Sequence, residues 1–104
     1  MTDGETAGSG RPSTGLCSGE AVIPNRKGLH ARASANFVKC AGKFDAEVWV
    51  TREGQTVLGT SIMGLMTLAA SQGNTILIET KGAQAQEALD ALLALVGAGF
   101  NEEQ

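Results

Sequence analysis

Aromatic side chains are scarce in this chain: they make up 4% of its 104 residues, as Phe37, Phe44, Trp49 and Phe100, and tyrosine is absent. A stacking platform for single-stranded nucleic acid has too little to work with. Positive charge is also short, with 8 Lys and Arg against 11 Asp and Glu and a net charge of -3, which disfavours a general nucleic-acid binder. No run approaches the roughly 20 apolar residues that a membrane span needs. The longest uncharged stretch, Gly54 to Ile78, is broken by Gly59, Gly64, Gly73 and several hydroxyl residues, so no membrane insertion is expected. Met1 to Gly10 contains Asp3 and Glu5 and no apolar run, which does not read as an export signal and makes the cytoplasm the expected compartment. Cys17 and Cys40 have neither a CxxC spacing nor an oxidising context, and are expected as free, largely buried thiols. With a single histidine they fall short of the roughly four ligands of a structural zinc site, so no metal or other cofactor is expected.

What remains is an ordinary globular composition, 42% hydrophobic and 18% charged, on a length that holds one core. Residues 1–15 are rich in Gly, Ser, Thr and Pro and bury too little to offset their ordering entropy; they are expected to form a flexible tail before a domain over 16–104. Within that domain there is no internal repeat. Cys17, Gly19, Ala21 and Ile23 recur at period two, predicting a strand from Leu16 that ends before Pro24. Ala31 to Ala41 is alanine-rich, with Phe37, Val38 and Ala41 at helical spacing, and Gly42 supplies a stop. Phe44 to Arg52 alternates as a strand, Glu53-Gly54 is a turn, and Gln55 to Leu58 returns as its hairpin partner.

Thr60 and Ser61 can cap a short helix from Ile62 to Ala70. Asn74 to Thr80 reads as a buried strand. Ala83 to Val96 carries one apolar stripe of Ala85, Ala88, Leu89, Leu92, Leu95 and Val96. The resulting class is α+β: an open-faced, two-layer β-α-β-β-α-β-α sandwich, with a four-stranded, mainly antiparallel sheet and three helices on one face.

The one histidine, His30, stands between the Gly28 loop and the helix opening at Ala31. First-turn N–H groups and the positive end of the helix dipole favour an anion there and disfavour imidazolium. A neutral, exposed imidazole keeps a nucleophilic nitrogen, able to attack phosphorus. Arg26, Lys27, Arg32, Lys39 and Lys43 are five of the eight basic residues, and no acidic residue occurs between Glu20 and Asp45. Arg32, with its fork of donors, and Ala31, whose N–H opens the turn, are the candidates to hold phosphoryl oxygens. The bland alternatives are a surface or capping histidine and an ordinary solvated helix face.

The stretch Gly28-Leu29-His30-Ala31-Arg32 resembles the phosphorylation-site motif of HPr, the histidine-containing phosphocarrier of the bacterial phosphotransferase system (PTS). A second stretch, Thr60-Ser61-Ile62-Met63-Gly64-Leu65-Met66-Thr67-Leu68, is similar to the HPr segment around its regulatory serine, at the distance that family shows. The similarity covers about Leu16 to Phe100. It implies an HPr-like fold and a carrier that is not itself an enzyme. In that role His30 accepts a phosphoryl group on Nδ1 from enzyme I, charged by phosphoenolpyruvate, and passes it to a histidine of an enzyme IIA protein in sugar transport or its regulation. It also implies Ser61 as a site for HPr kinase/phosphorylase, although a plain helix cap explains that serine equally well. Ala33 stands where many HPr proteins have proline; alanine is a good helix former, and the helix start is expected to survive.

The helix after Ser61 is apolar over most of its circumference. Leu65 and Leu68 are assigned to the core, and Ile62, Met63 and Met66 to an adaptable docking patch. Arg32, Lys39 and Lys43 are expected to ring that patch and favour acidic partners. A monomer is expected. The competing reading is a regulatory binding module of a nitrogen-related PTS, whose partner binding follows its phosphorylation state. A small-ligand or RNA-binding domain lacks supporting side chains.

Overall fold

Alternation decides the sheet. In a computed structural model, which describes residues 16–102, strand β1 (Leu16–Val22) turns Cys17, Gly19 and Ala21 inward and Ser18, Glu20 and Val22 to solvent. The expected N-terminal tail lies outside the described residues. Strand β2 (Glu47–Arg52) likewise buries Val48 and Val50. It is joined to β3 (Gln55–Leu58) through Glu53 and Gly54, whose φ values of 49° and 83° give the left-handed turn that matches strand twist. Strand β4 (Thr75–Lys81) completes a sheet of order β1-β4-β2-β3, and every neighbouring pair is antiparallel. One inner row crosses all four strands, running Gly19, Ile78, Val50 and Val57. Gly19 leaves room for Leu93 of the last helix, since a Cβ there would sit 3.0 Å from a Leu93 methyl.

The helices α1 (Ala31–Ala41), α2 (Ile62–Thr67) and α3 (Ala85–Gly97) cover this face, in the architecture the sequence predicts. Helix α1 buries Ala33, Ser34, Phe37 and Ala41, whereas Val38 is half-buried. It opens at Ala31 without proline and stops at Gly42, whose φ of -70° is an ordinary right-handed value. All six residues of the predicted apolar stripe are buried on α3.

Three element boundaries differ from expectation by two residues or more, and the others by one at most. Strand β2 begins at Glu47 and not at Phe44, because Asp45 is tied to Gln84: its N–H donates to Oε1 at 2.8 Å and its carbonyl accepts the Gln84 N–H at 2.9 Å. Helix α3 begins at Ala85, after that same Gln84. Helix α2 stops at Thr67, three residues short of Ala70. The Leu68 carbonyl accepts from Arg52 Nη1 at 3.1 Å, Ala69 turns left-handed at φ 52°, and the Ala70 carbonyl faces the loop before α1. Cys17 and Cys40 are free but only half-buried, less enclosed than expected.

Candidate functional site

The loop before α1 is held from three sides. A turn over Asn25 to Gly28 closes with the Gly28 N–H on the Asn25 carbonyl at 3.2 Å. Gly28 takes φ +65°, and a Cβ there would lie 2.2 Å from the Ala70 carbonyl oxygen, so neither the conformation nor the space admits a side chain. Leu29 is buried, its N–H donates to Ala70 O at 3.0 Å, and its carbonyl accepts from Ser34 Oγ at 3.2 Å. His30 follows directly, so its backbone is fixed by packing on both sides.

His30 is the N-cap of α1, extended at φ -77° and ψ -176°, with its carbonyl accepting the Ser34 N–H at 2.9 Å. Its side chain makes no capping bond, and no acidic residue occupies the first turn. The helix's N-terminal donors and dipole are thereby left for an incoming anion. Among the described residues the ring makes one hydrogen bond, from Nε2 to Oε2 of Glu102. An ionised carboxylate only accepts, so a neutral imidazole must carry its proton on Nε2, leaving the lone pair on Nδ1.

Glu102 is the residue sequence reasoning missed. Local charge reading around His30 finds no acid nearby, yet this carboxylate arrives from 72 positions away. Its side chain is 9% exposed and that of His30 28%, so the ring is partly screened and not in open solvent as expected. The second carboxylate oxygen, Oε1, accepts from Asn25 Nδ2 at 2.8 Å. What delivers Glu102 is a short 3-10 turn over Gly99–Asn101 with the fully buried Phe100 at its centre, a lone aromatic just past the last apolar helix, which is the one sequence signal that pointed there.

The other expected site residues fall into separate places. Ala31 and Arg32 are exposed in the first turn of α1. Lys39 and Lys43 line a groove of about 740 Å³ between α1 and α3, together with Asn36, Cys40, Leu95 and Asn101. No residue of α2 lines that groove. Ser61 is the N-cap of α2, with Oγ accepting the Gly64 N–H at 2.9 Å. Leu65 and Leu68 are buried, while Ile62, Met63 and Met66 are exposed, Met63 to 74%. Helix α2 packs against α1.

Among the described residues no cluster of His, Cys, Asp and Glu could hold a metal ion, and no helix is long and apolar enough to cross a membrane.

Comparison with known proteins shows the family. Residues 17–98 match the PTS-HPr family, described as the PTS HPr component phosphorylation site. The phosphocarrier protein HPr of Cupriavidus necator is 49% identical over 83 residues, covering 80% of this chain and 93% of that protein. That of Neisseria meningitidis serogroup A is 51% identical over 80 residues, covering 77% and 90%. The crystal structure of HPr from Thermoanaerobacter tengcongensis superposes with a TM-score of 0.80 at 40% identity, over 85% of this chain and 99% of that one. The chain belongs to the HPr family of phosphocarriers.

Proposed function

We propose that His30 is the phosphoryl acceptor, taking the group on Nδ1 from a phosphorylated histidine of enzyme I and passing it to a histidine of an enzyme IIA protein. The Nδ1 lone pair attacks phosphorus, the donor nitrogen leaves with the electrons of the old P–N bond, and the Nε2 proton stays on the ring. Positive charge therefore builds on the imidazole as the new bond forms. The Glu102 carboxylate, already bonded to Nε2, stands where it offsets that charge. Arg32 and the first-turn N–H groups from Ala31 onward receive the three phosphoryl oxygens, which carry the negative charge.

The supporting observation is the His30 ring itself, fixed through Nε2 and uncommitted to capping at the open end of α1. The exposed Ile62, Met63 and Met66 on the adjacent helix are the docking patch in this reading, with Lys39, exposed on α1, contributing to partner contact. Ser61 is the site for HPr kinase/phosphorylase; a dianion there repels acidic groups on a docking enzyme I and acts as a brake.

Incubation with enzyme I and labelled phosphoenolpyruvate tests the carrier. Acid-labile, alkali-stable label that disappears in His30→Ala supports it. A wild type that takes no label yet still binds partners turns the assignment to a regulatory module of a nitrogen-related PTS. Acid-stable label from ATP, lost in Ser61→Ala, establishes the brake.

A further inference from the structure

Asn25 lies five residues before His30 and is linked to it through Glu102, so its side chain is placed to govern the ring. The residue is 1% exposed. Its Nδ2 donates to the Gly28 carbonyl at 3.0 Å, inside its own turn, and to Oε1 of Glu102 at 2.8 Å. Both partners are acceptors, so the orientation of the amide is settled: a flipped Asn25 would set its oxygen against two oxygens. Its Oδ1 has no hydrogen-bond partner among the described residues, an arrangement that favours the two donations over satisfying the acceptor. Glu102 is thus gripped at one oxygen by a rigid, buried donor and meets His30 Nε2 with the other.

We infer that Asn25 is a positioning residue for phosphoryl acceptance, acting through Glu102. By holding Oε1 it aims Oε2 at Nε2, which keeps the proton on Nε2 and the lone pair on Nδ1. The inference rests on the carrier reading for its purpose. Its physical content, control of the imidazole tautomer by a residue two hydrogen bonds away, is measurable without any partner protein. A carboxylate on a free chain end would satisfy the ring equally well in many orientations; one clamped at Oε1 leaves a single acceptor direction for the ring to meet.

The experiment exchanges the carboxylate for an amide. In Glu102→Gln the Asn25 donor captures the single amide oxygen, so the amide NH₂ is turned toward Nε2. That nitrogen must then accept, and the ring proton moves to Nδ1. Imidazole ¹⁵N shifts, read at a pH where the ring is neutral, are expected to report the Nε2–H tautomer in the wild type and the Nδ1–H tautomer in Glu102→Gln. In the double variant Asn25→Ala with Glu102→Gln the amide is free to turn over, and the Nε2–H population is expected to return. Phosphoryl acceptance should follow the tautomer, with Glu102→Gln slower by on the order of ten- to a hundredfold and partial recovery in the double variant.

Glu102→Gln leaves the Asn25 turn untouched, so its result does not depend on the turn tolerating a substitution. A Glu102→Gln ring that stays Nε2–H, or a double variant whose tautomer equals that of Glu102→Gln, overturns the inference. If the tautomers switch as stated but enzyme I labels none of the proteins, the positioning role stands and the carrier reading fails.

Discussion

Asn36, midway along α1, donates its side-chain amide to the carbonyl oxygen of Phe100 at 2.9 Å, tying the helix capped by His30 to the segment that carries Glu102. That segment is conformationally costly. Gly99, Phe100 and Asn101 are left-handed in succession at φ 67°, 61° and 62°, and only the first is glycine. The left-handed Phe100 costs about 1–2 kcal/mol, whereas asparagine tolerates that conformation better. Burial of the Phe100 ring, which is 0% exposed, offsets this and fixes where the chain goes next.

Asn36→Ala is therefore expected to lose about 1 kcal/mol in urea denaturation. Phe100→Ala should lose about 3–5 kcal/mol. Both should broaden or shift the His30 ¹⁵N resonances, since each loosens the strap that holds Glu102 on Nε2. Stability loss with unchanged His30 resonances would separate the strap from the site.

Two glycines with similar φ make opposite demands. At Gly28 a Cβ would strike the Ala70 carbonyl at 2.2 Å, whereas at Gly54, φ +83°, nothing lies within 4 Å. Gly28→Ala should cost about 2–4 kcal/mol through combined clash and strain, and displace His30. Gly54→Ala should cost about 1 kcal/mol, with phosphoryl acceptance unchanged. Equal effects in paired denaturation curves would mean that the Ala70 contact does not constrain the loop.

Helix α2 separates inside from outside within a few residues. Leu65 is 0% exposed and Met63 is 74% exposed. Leu65→Ala should cost about 2–5 kcal/mol. Met63→Ser should stay within about 0.5 kcal/mol of wild type. The expected penalty of Met63→Ser is in transfer, as a raised KM for enzyme I. An unchanged KM would remove Met63 from the docking patch.

Much of this was legible because burial follows period. The alternation of Cys17, Gly19 and Ala21 and the stripe from Ala85 to Val96 each describe one face, and one face is what the fold buries. Less readable from α1 alone was the groove that Asn36, Lys39 and Cys40 share with Lys43, Leu95 and Asn101 against α3. What local pattern could not give were positions set by contacts distant in sequence. Helix α2 ends early because Arg52 and Leu29 claim the carbonyls of Leu68 and Ala70. Glu102 reaches His30 only because Phe100 is drawn into the core.

Ser61 caps α2 through its bond from the Gly64 N–H, so Ser61→Ala should lose about 1 kcal/mol whether or not the residue is ever phosphorylated. Ser61→Asp keeps an acceptor at the same position and adds charge at the helix N-terminus. It should hold wild-type stability in thermal denaturation while weakening enzyme I binding. Weakened binding in Ser61→Ala to the same degree would point to the cap, and not to charge, as the determinant.

Cys40 sits on α1 among the residues lining the groove against α3, and burial pushes its thiol above the ordinary value while the ammonium of Lys43 pulls it part of the way back. Because the folded state holds the proton more tightly than the unfolded chain, the thiol's contribution to stability is complete below the unfolded thiol pKa. It declines as pH rises from there through the folded value. Urea midpoints should therefore fall in the alkaline range, and fall less in Cys40→Ala. Removing the ammonium in Lys43→Ala leaves burial unopposed, so alkylation of Cys40 by iodoacetamide near pH 8 should become slower still. Faster alkylation in Lys43→Ala would show that the lysine shields the sulfur sterically and that its charge is not what governs the thiol.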